Sequence, residues 1–170
     1  WIEENHAKGV RRLVTPESKK QPHIPWTDAA IETFRADARP ECRLIFAIGI
    51  GSVQRPGDWT KFRWSDFDGD SLHIVQGKTG RALEIPCTEH LKAALRTAPR
   101  NGMTILTKED GRPRPYRRMA DRMRRERGRL GVEAYDRHAL RYRGVRELAG
   151  AGCDDDEIAS YSGHTSKEMI

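Results

Sequence analysis

Residues 64–86, WSDFDGDSLHIVQGKTGRALEIP, hold the stretch that decides the fold. Apolar and polar residues alternate here with a period of two, and turn residues divide the stretch into three parts. Each part is predicted to be a short strand, and the strands are 64–67, 71–76 and 81–86. The connections Asp68-Gly69-Asp70 and Gly77-Lys78-Thr79-Gly80 are typical of hairpins. The sequence therefore predicts a small three-stranded antiparallel sheet with one buried face.

The sequence on both sides of this sheet is predicted to be mainly helical, from apolar spacing, N-cap residues and helix-ending Gly or Pro. The predicted helices span about 27–39, 40–50, 56–62, 88–98, 116–130, 136–149 and 154–162. A further short strand is predicted at 104–107. Residues 1–26 are polar and interrupted by prolines, which indicates a linker or an arm. The prediction is an α+β domain over 27–170, mainly helical, with the sheet at one edge.

The composition excludes several classes of protein and favours a polyanionic partner. The 170 residues include 31 Lys and Arg against 25 Asp and Glu, which gives a formal net charge of +6. No apolar run approaches the roughly 18 residues of a membrane span. The three cysteines lie far apart and in no CxxC pair, which argues against a disulfide framework or a zinc site. We therefore expect one cytoplasmic domain that needs no metal and no membrane.

Five basic residues are candidates for a site that binds a phosphate group. Arg55 lies at a predicted helix start, where its guanidinium and free backbone N–H groups can meet one anion. The alternative is a helix cap or an ion pair with Asp58. Lys78 lies at a hairpin tip between glycines, where its ammonium can donate a proton or contact phosphate. The alternative is a solvated turn lysine.

The other three candidates lie near the end of the chain. His138 and Arg141 are three residues apart on one predicted helix, so both side chains project from one face. The imidazole titrates near neutral pH, and the guanidinium fork can hold two phosphate oxygens. The alternative is a surface pair on a basic helix. His164 follows Gly163 at a helix end, where the chain can turn its ring inward or where the helix dipole simply stabilises a protonated ring.

The stretch 112–129 carries nine arginines against Asp121 and Glu126, a density typical of a helix that contacts nucleic-acid phosphates. The alternative is a solvated basic face. The arginines predicted to contact DNA are Arg117, Arg118, Arg124 and Arg125. The run Asp154-Asp155-Asp156 is interpreted as helix capping rather than as a metal site.

In their order along the chain, the candidates resemble the catalytic domain of the tyrosine recombinases, the phage-integrase family. The resemblance covers about residues 27–170. Its motifs are Ser52-Val53-Gln54-Arg55-Pro56-Gly57-Asp58 with Phe62-Arg63-Trp64-Ser65-Asp66, Gly77-Lys78-Thr79-Gly80, His138-Ala139-Leu140-Arg141, and Ala151-Gly152-Cys153 through Gly163-His164. The resemblance implies a site-specific recombinase that integrates or excises mobile DNA at double-stranded attachment sites. It also implies self-association as a tetramer on DNA, no cofactor, and residues 1–26 as the linker or tail of a preceding N-terminal DNA-binding domain.

In this family two arginines and a histidine hold the scissile phosphate, and a tyrosine attacks it to leave a 3′-phosphotyrosyl link. A hairpin lysine protonates the leaving 5′-hydroxyl. The resemblance thus implies that Arg55 and Arg141 clamp the phosphate, that Lys78 is the general acid and that His138 is a general acid/base. It implies a further phosphate contact from His164.

The chain departs from the family pattern at three places. Val53 stands where glycine is usual, and Ser162 stands where a large aliphatic residue is usual. The family's tyrosine lies beyond the position of Ile170, where this sequence stops, so we expect the nucleophile outside this chain. The internal tyrosines, none of which fits that position, are Tyr116, Tyr135, Tyr142 and Tyr161.

Two other hypotheses remain open from the sequence. A non-catalytic DNA-binding protein of the same fold would keep the phosphate contacts and lack the nucleophile. A small regulator would bind DNA through the Arg-rich segment as a helix-turn-helix, which leaves the order of arginine, lysine and histidine unexplained. The resemblance implies a bacterial or phage-encoded protein in the cytoplasm, associated with the nucleoid.

Overall fold

A computed structural model describes residues 23–163. About half of these residues are helical, and two strands form a small antiparallel sheet, so the prediction of a mainly helical α+β fold is confirmed. The elements in chain order are α1 (Asp28–Asp37), α2 (Pro40–Gly51), α3 (Pro56–Trp59), β1 (Ser71–Val75), β2 (Ala82–Pro86), α4 (Glu89–Thr97), α5 (Tyr116–Arg129), α6 (His138–Gly150) and α7 (Asp155–Ser162). No helix within the described range is both long and apolar enough to span a membrane.

The sheet has two strands, so the prediction of three was wrong. Strands β1 and β2 pair with Ser71 opposite Pro86, and their alternate residues are buried as predicted. Residues 64–66 form a short 3₁₀ turn instead of a strand. Two contacts hold it in this form: the Asp66 carboxylate accepts the Arg63 N–H at 2.8 Å, and the Trp64 N–H donates to the distant Met103 carbonyl at 3.0 Å. Only one isolated bridge, between Phe67 and Leu72, links this segment to β1.

The strand predicted at 104–107 is also absent as a regular element. Thr104 forms an isolated bridge with Arg63, and Thr107 forms another with Pro113. The Ile105 N–H donates to the Phe62 carbonyl at 2.8 Å. Thr104 and Ile105 thus pair with residues 62–63, whereas Thr107 pairs with Pro113, so no continuous ladder develops.

Three helices begin directly after a capping side chain, at the first position of each predicted span. Thr27 accepts from the Ala30 N–H, and Thr88 accepts from the Leu91 N–H. Asp154 and Glu157 form a reciprocal capping box, which accounts for the acidic run at the start of α7. Helix α6 begins one residue later than its predicted span would require. Its N-cap residue is Arg137, and the carboxylate of the preceding Asp136 accepts the Ala139 N–H at 2.8 Å.

Helix α2 lies at the centre of the core and packs against α4, α5 and α6. An aromatic cluster of Trp26, Phe34 and Phe46 covers its outer side. Trp26 is 1% exposed, so the packed unit begins before Thr27, inside the segment interpreted as a linker. Residues 1–22 of that segment lie outside the described residues.

Candidate active site

The C-terminal end of α2 lies against α6 and leads to Arg55, the first candidate residue. Gly144 of α6 lies directly against this end, since a Cβ there would be only 2.4 Å from the Ile50 carbonyl oxygen. The chain then continues through Val53 and Gln54 to Arg55, the N-cap residue of α3. Because α2 and α6 approach so closely, Arg55 is carried toward the residues on the first turns of α6.

Arg55 lies near enough to Arg141 for its charge to act on that residue. Arg141 is only 7% exposed and donates from Nη2 to the Ser162 carbonyl at 3.0 Å. Burial, and then the nearby positive charge of Arg55, lower the pKa of Arg141 to about 10. Arg141 nevertheless stays cationic at neutral pH. The structure therefore holds two like charges close together, an arrangement that favours a bound anion.

Arg55 adds a second sign of an anion site. Its Nη1 is shielded from solvent and has no hydrogen-bond partner among residues 23–163. The alternative for this residue, an ion pair with Asp58, is not formed in the described part of the chain. Asp58 instead accepts the Gly77 N–H at 3.0 Å and pairs with Lys61. A buried guanidinium nitrogen without a partner is costly, and an anion between the arginines would satisfy it.

His138 is the first residue of α6, one turn before Arg141 on the same face. Partial desolvation, and then the positive charge of Arg137, lower the pKa of His138 below its usual 6.5. The ring of His23 stacks on it, with ring centroids 5.4 Å apart. His23 is held there by the Asp136 carboxylate. At neutral pH His138 is therefore a neutral imidazole that can accept a proton.

Lys78 lies at the exposed tip of the β1–β2 hairpin. No hydrogen bond or ion pair connects its side chain to any residue in the described range, so the structure does not bring it into contact with the arginines. The backbone of the tip is held, however, because the Gly77 N–H donates a hydrogen bond to Asp58, three residues after Arg55. His164 lies outside the described residues. The residue before it, Gly163, packs against the side chain of Gln76, with a φ of 68°.

Buried polar residues that the sequence did not reveal connect the segments that carry Arg55, Lys78 and Arg141. Gln54, Gln76 and Ser162 are each at most 1% exposed. Gln76 donates from Nε2 to Gln54 Oε1 at 2.6 Å and to the Ser162 carbonyl at 3.0 Å. A signal was present, since each glutamine directly precedes a candidate motif, Arg55 or Gly77-Lys78. A glutamine is usually exposed, however, so this position alone did not indicate a contact.

Several arginines of α5 and of the segment before it form ion pairs within the fold or are buried. Arg114 and Arg122 both pair with Glu41, and Arg129 pairs with Glu126. Arg127 is buried. The arginines predicted to contact DNA are exposed on the surface of α5, with only a 4.0 Å contact from Arg124 to Asp121: Arg117, Arg118, Arg124 and Arg125.

Two internal tyrosines near the site are held by hydrogen bonds. The Tyr161 hydroxyl donates to the Gly51 carbonyl at 2.5 Å and lies 2.9 Å from the Pro86 carbonyl. Burial raises the pKa of Tyr161 above its usual value. The Tyr116 hydroxyl accepts from the Arg137 guanidinium at 2.7 Å. Tyr142, next to Arg141, is the exposed one of the four.

Curated relatives match short segments of this chain. The integrase of Escherichia phage HK022 is 44% identical over 46 residues, which is 27% of this chain and 13% of that protein. The integrase of Escherichia phage lambda is 31% identical over 68 residues, which is 39% of this chain and 19% of that protein. The matched segments thus span less than a fifth of either relative.

Solved structures resemble the whole described fold. A lambda integrase (75-356) dimer bound to a COC′ core site matches with a TM-score of 0.74 and 24% identity, over 99% of this chain and 66% of that chain. A lambda integrase tetramer bound to a Holliday junction has a TM-score of 0.73 and 22% identity, over 99% and 54%. XerA recombinase has a TM-score of 0.73 and 16% identity, over 88% and 60%. The fold is therefore that of a tyrosine recombinase catalytic domain.

The family model described as "Phage integrase family" matches residues 28–170. This range is more than four fifths of the chain and contains all five candidate residues. The chain therefore belongs to the phage integrase family.

Proposed function

We propose that this chain is the catalytic domain of a site-specific tyrosine recombinase that cuts and rejoins double-stranded DNA. The observation that carries the proposal is the pair Arg55 and Arg141, two cations held close together with a buried, unpartnered Nη1 on Arg55. A phosphodiester that gains negative charge during reaction is the ligand such a pair would stabilise. The relatives named integrase, and the lambda integrase complexes with DNA, support the same class of substrate.

In the proposed reaction a tyrosine hydroxyl attacks the phosphate that Arg55 and Arg141 hold. His138 accepts the tyrosine proton, and Lys78 donates a proton to the departing 5′ oxygen. His164 contributes a further phosphate contact. The covalent 3′-phosphotyrosyl link conserves the energy of the broken bond, so rejoining needs no cofactor.

The nucleophile is proposed to lie beyond Ile170. The contacts of the internal tyrosines support this, because Tyr161 and Tyr116 already use their hydroxyls in the fold. A raised pKa also makes the Tyr161 hydroxyl a poorer nucleophile at neutral pH. Tyr142 is the internal alternative, since it is exposed and adjacent to Arg141.

The proposed partner is a double-stranded attachment site, bound by several copies of the protein in the cytoplasm. Lambda integrase forms a dimer on a core site and a tetramer on a Holliday junction, which supports a similar assembly here. The exposed arginines of α5 would add contacts to the phosphate backbone. Such contacts fix position on the duplex and carry little sequence information.

A covalent-adduct assay tests the proposal. The protein encoded by the whole gene is incubated with nicked attachment-site DNA, which is first selected by binding, and is then run on a denaturing gel. We expect a protein–DNA band that disappears on Arg141→Ala and on replacement of the downstream tyrosine by phenylalanine. The tyrosine variant should still bind DNA, because only the attacking oxygen is lost.

The same assay separates the alternatives. Binding without any adduct from the whole-gene protein would favour a non-catalytic DNA-binding protein of this fold. An adduct formed by the 170-residue chain alone would identify an internal tyrosine as the nucleophile. Tyr142→Phe would then abolish the band if Tyr142 is that residue.

A further inference from the structure

A buried glutamine, Gln76, connects the Lys78 hairpin to both arginines of the candidate site. Its Nε2 donates to Gln54 Oε1 at 2.6 Å, and Gln54 directly precedes Arg55. The same Nε2 donates to the Ser162 carbonyl at 3.0 Å. That carbonyl also accepts from Arg141 Nη2 at 3.0 Å. One backbone oxygen is thus shared by the hairpin and by the buried arginine.

Gln76 also holds the tip of the hairpin. Gln76 Oε1 accepts from the Thr79 hydroxyl at 2.7 Å, across the turn. The Gln76 carbonyl accepts the Gly80 N–H at 2.9 Å. Asp58 accepts the N–H of Gly77 on the other side of the lysine. The backbone on both sides of Lys78 is therefore held, while its side chain stays exposed.

This network of hydrogen bonds limits the orientations that the buried amide side chains can adopt. Gln54 uses its own Nε2 to donate to the carbonyls of Ser52, at 3.1 Å, and Tyr161, at 3.2 Å. Buried amides are tolerated only when their groups are paired, and paired amides permit few alternative placements. An exposed hairpin tip without such ties is free to move. The network therefore restricts where the Lys78 backbone can sit relative to the arginines.

We propose that Gln76 is a positioning residue for Lys78, acting through the hairpin tip, and that Thr79 assists it. The inference rests on the proposed function, because Lys78 acts as a general acid only if the protein cleaves a DNA strand. In that step phosphorus gains a bond to the tyrosine oxygen and loses its bond to the 5′ oxygen. The tyrosine proton goes to His138, and the 5′ oxygen takes a proton from the Lys78 ammonium. Gln76 determines whether that ammonium lies within reach.

A leaving group that needs no proton tests this role. Sulfur in place of the bridging 5′ oxygen leaves as a thiolate, because a thiol has a pKa of only about 8.5. Single-turnover cleavage of the oxygen and sulfur substrates is compared for Gln76→Met, Thr79→Val, Lys78→Ala and the double variant Gln76→Met/Lys78→Ala, all in the whole-gene protein. Gln76→Met keeps the side-chain volume and removes the amide. Thr97→Val is the matched control, because Thr97 is an exposed threonine at the end of α4 whose hydroxyl donates to the Ala93 carbonyl of its own helix.

We expect Lys78→Ala to slow cleavage of the oxygen substrate by roughly 10²–10⁴-fold and to recover on the sulfur substrate. Gln76→Met should slow the oxygen substrate by at least about 10-fold and recover in the same way. The double variant should be within about 2-fold of Lys78→Ala, because residues that act in one step are not additive. Thr79→Val should show a smaller loss with the same recovery, and Thr97→Val should match the wild type.

Two results would overturn the positioning role. One is an equal loss on both substrates for Gln76→Met and Thr79→Val, which would indicate a general structural effect. The other is wild-type cleavage of the oxygen substrate by both variants. If Gln76→Met does not fold, Thr79→Val decides alone, since it changes an exposed turn residue. Failure of the sulfur substrate to rescue Lys78→Ala is a different outcome: it refutes the general-acid role in the proposed function and the inference with it.

Discussion

Val53 holds a backbone conformation that β-branched residues rarely adopt, with φ at 53°. It lies between the end of α2 and Arg55, and its side chain is 1% exposed. Its Cγ2 occupies space beside Gly144 of α6. The left-handed conformation costs an ordinary L-residue roughly 1–2 kcal/mol, which explains why glycine is usual here in the family. Burial of the valine side chain offsets this strain two residues before the candidate site.

Replacing Val53 by glycine or by alanine separates strain from packing. Both variants lose the buried isopropyl group, but only glycine also removes the strain. We expect Val53→Gly to be more stable than Val53→Ala by about 1 kcal/mol, the reverse of the usual order. Urea unfolding of the 170-residue chain measures the difference. Val145, buried in the regular helix α6, is the control, where alanine should be the more stable. An alanine variant at 53 as stable as the glycine variant would contradict the strain.

The pKa of His138 tests the electrostatics of the candidate site. Desolvation lowers this pKa first, the charge of Arg137 lowers it further, and Asp136 opposes both. Because a nearby cation disfavours the imidazolium, Arg137→Gln should raise the pKa toward 6.5, while Arg146→Gln on the exposed face of α6 should leave it unchanged. A side-chain NMR titration measures both values. The lowered pKa also means that stability falls as pH drops through about 6.5, since the unfolded chain binds this proton more readily. A pKa that falls in the Arg137 variant would refute the assignment.

The close approach of α2 and α6 depends on Gly144. A Cβ at Gly144 would lie 2.4 Å from the Ile50 carbonyl oxygen, whereas a Cβ at Gly150, at the end of the same helix, would meet nothing within 4 Å. Gly144→Ala should therefore destabilise the fold by about 1–3 kcal/mol and weaken DNA binding, because it separates the elements that carry Arg55 and Arg141. Gly150→Ala should be neutral or stabilising, by up to about 1 kcal/mol. Urea unfolding and a DNA-binding titration check both variants. Equal stability of the two would mean that the helices adjust without cost.

Elements with local signals were predictable from the sequence, and elements that depend on distant partners were not. Helices α1, α4 and α7 begin where Thr27, Thr88 and Asp154 place a side-chain cap. The predicted third strand failed because the Trp64 N–H donates to the Met103 carbonyl, a partner far along the chain. The candidate site divides in the same way. Its cations lie in recognisable motifs, but the burial of Gln76 depends on α7 packing beside the hairpin.

At the scale of the whole molecule, only part of the positive charge is available to bind a polyanion. The formal net charge is +6, yet several arginines are neutralised within the fold. Arg114 and Arg122 pair with Glu41, and Arg143 pairs with Asp28 and Glu147. The exposed arginines of α5 therefore form a concentrated group of charge that a polyanion can reach. Long-range attraction to DNA should depend on this helix more than on the net charge.

Salt dependence of DNA binding measures that contribution. Each phosphate contact releases condensed counterions, so the slope of log affinity against log salt changes by about 0.9 per contact. Arg117→Gln/Arg118→Gln should weaken binding and reduce the slope by up to about 2, equally on two duplexes of unrelated sequence. Arg122→Gln on the same helix is the matched control and should change the slope less, because Glu41 already holds that arginine. Fluorescence anisotropy with labelled duplexes between about 50 and 200 mM salt gives the slopes. An unchanged slope in the double variant would place the DNA elsewhere on the surface, and a loss confined to one duplex would mean that these arginines read bases rather than phosphates.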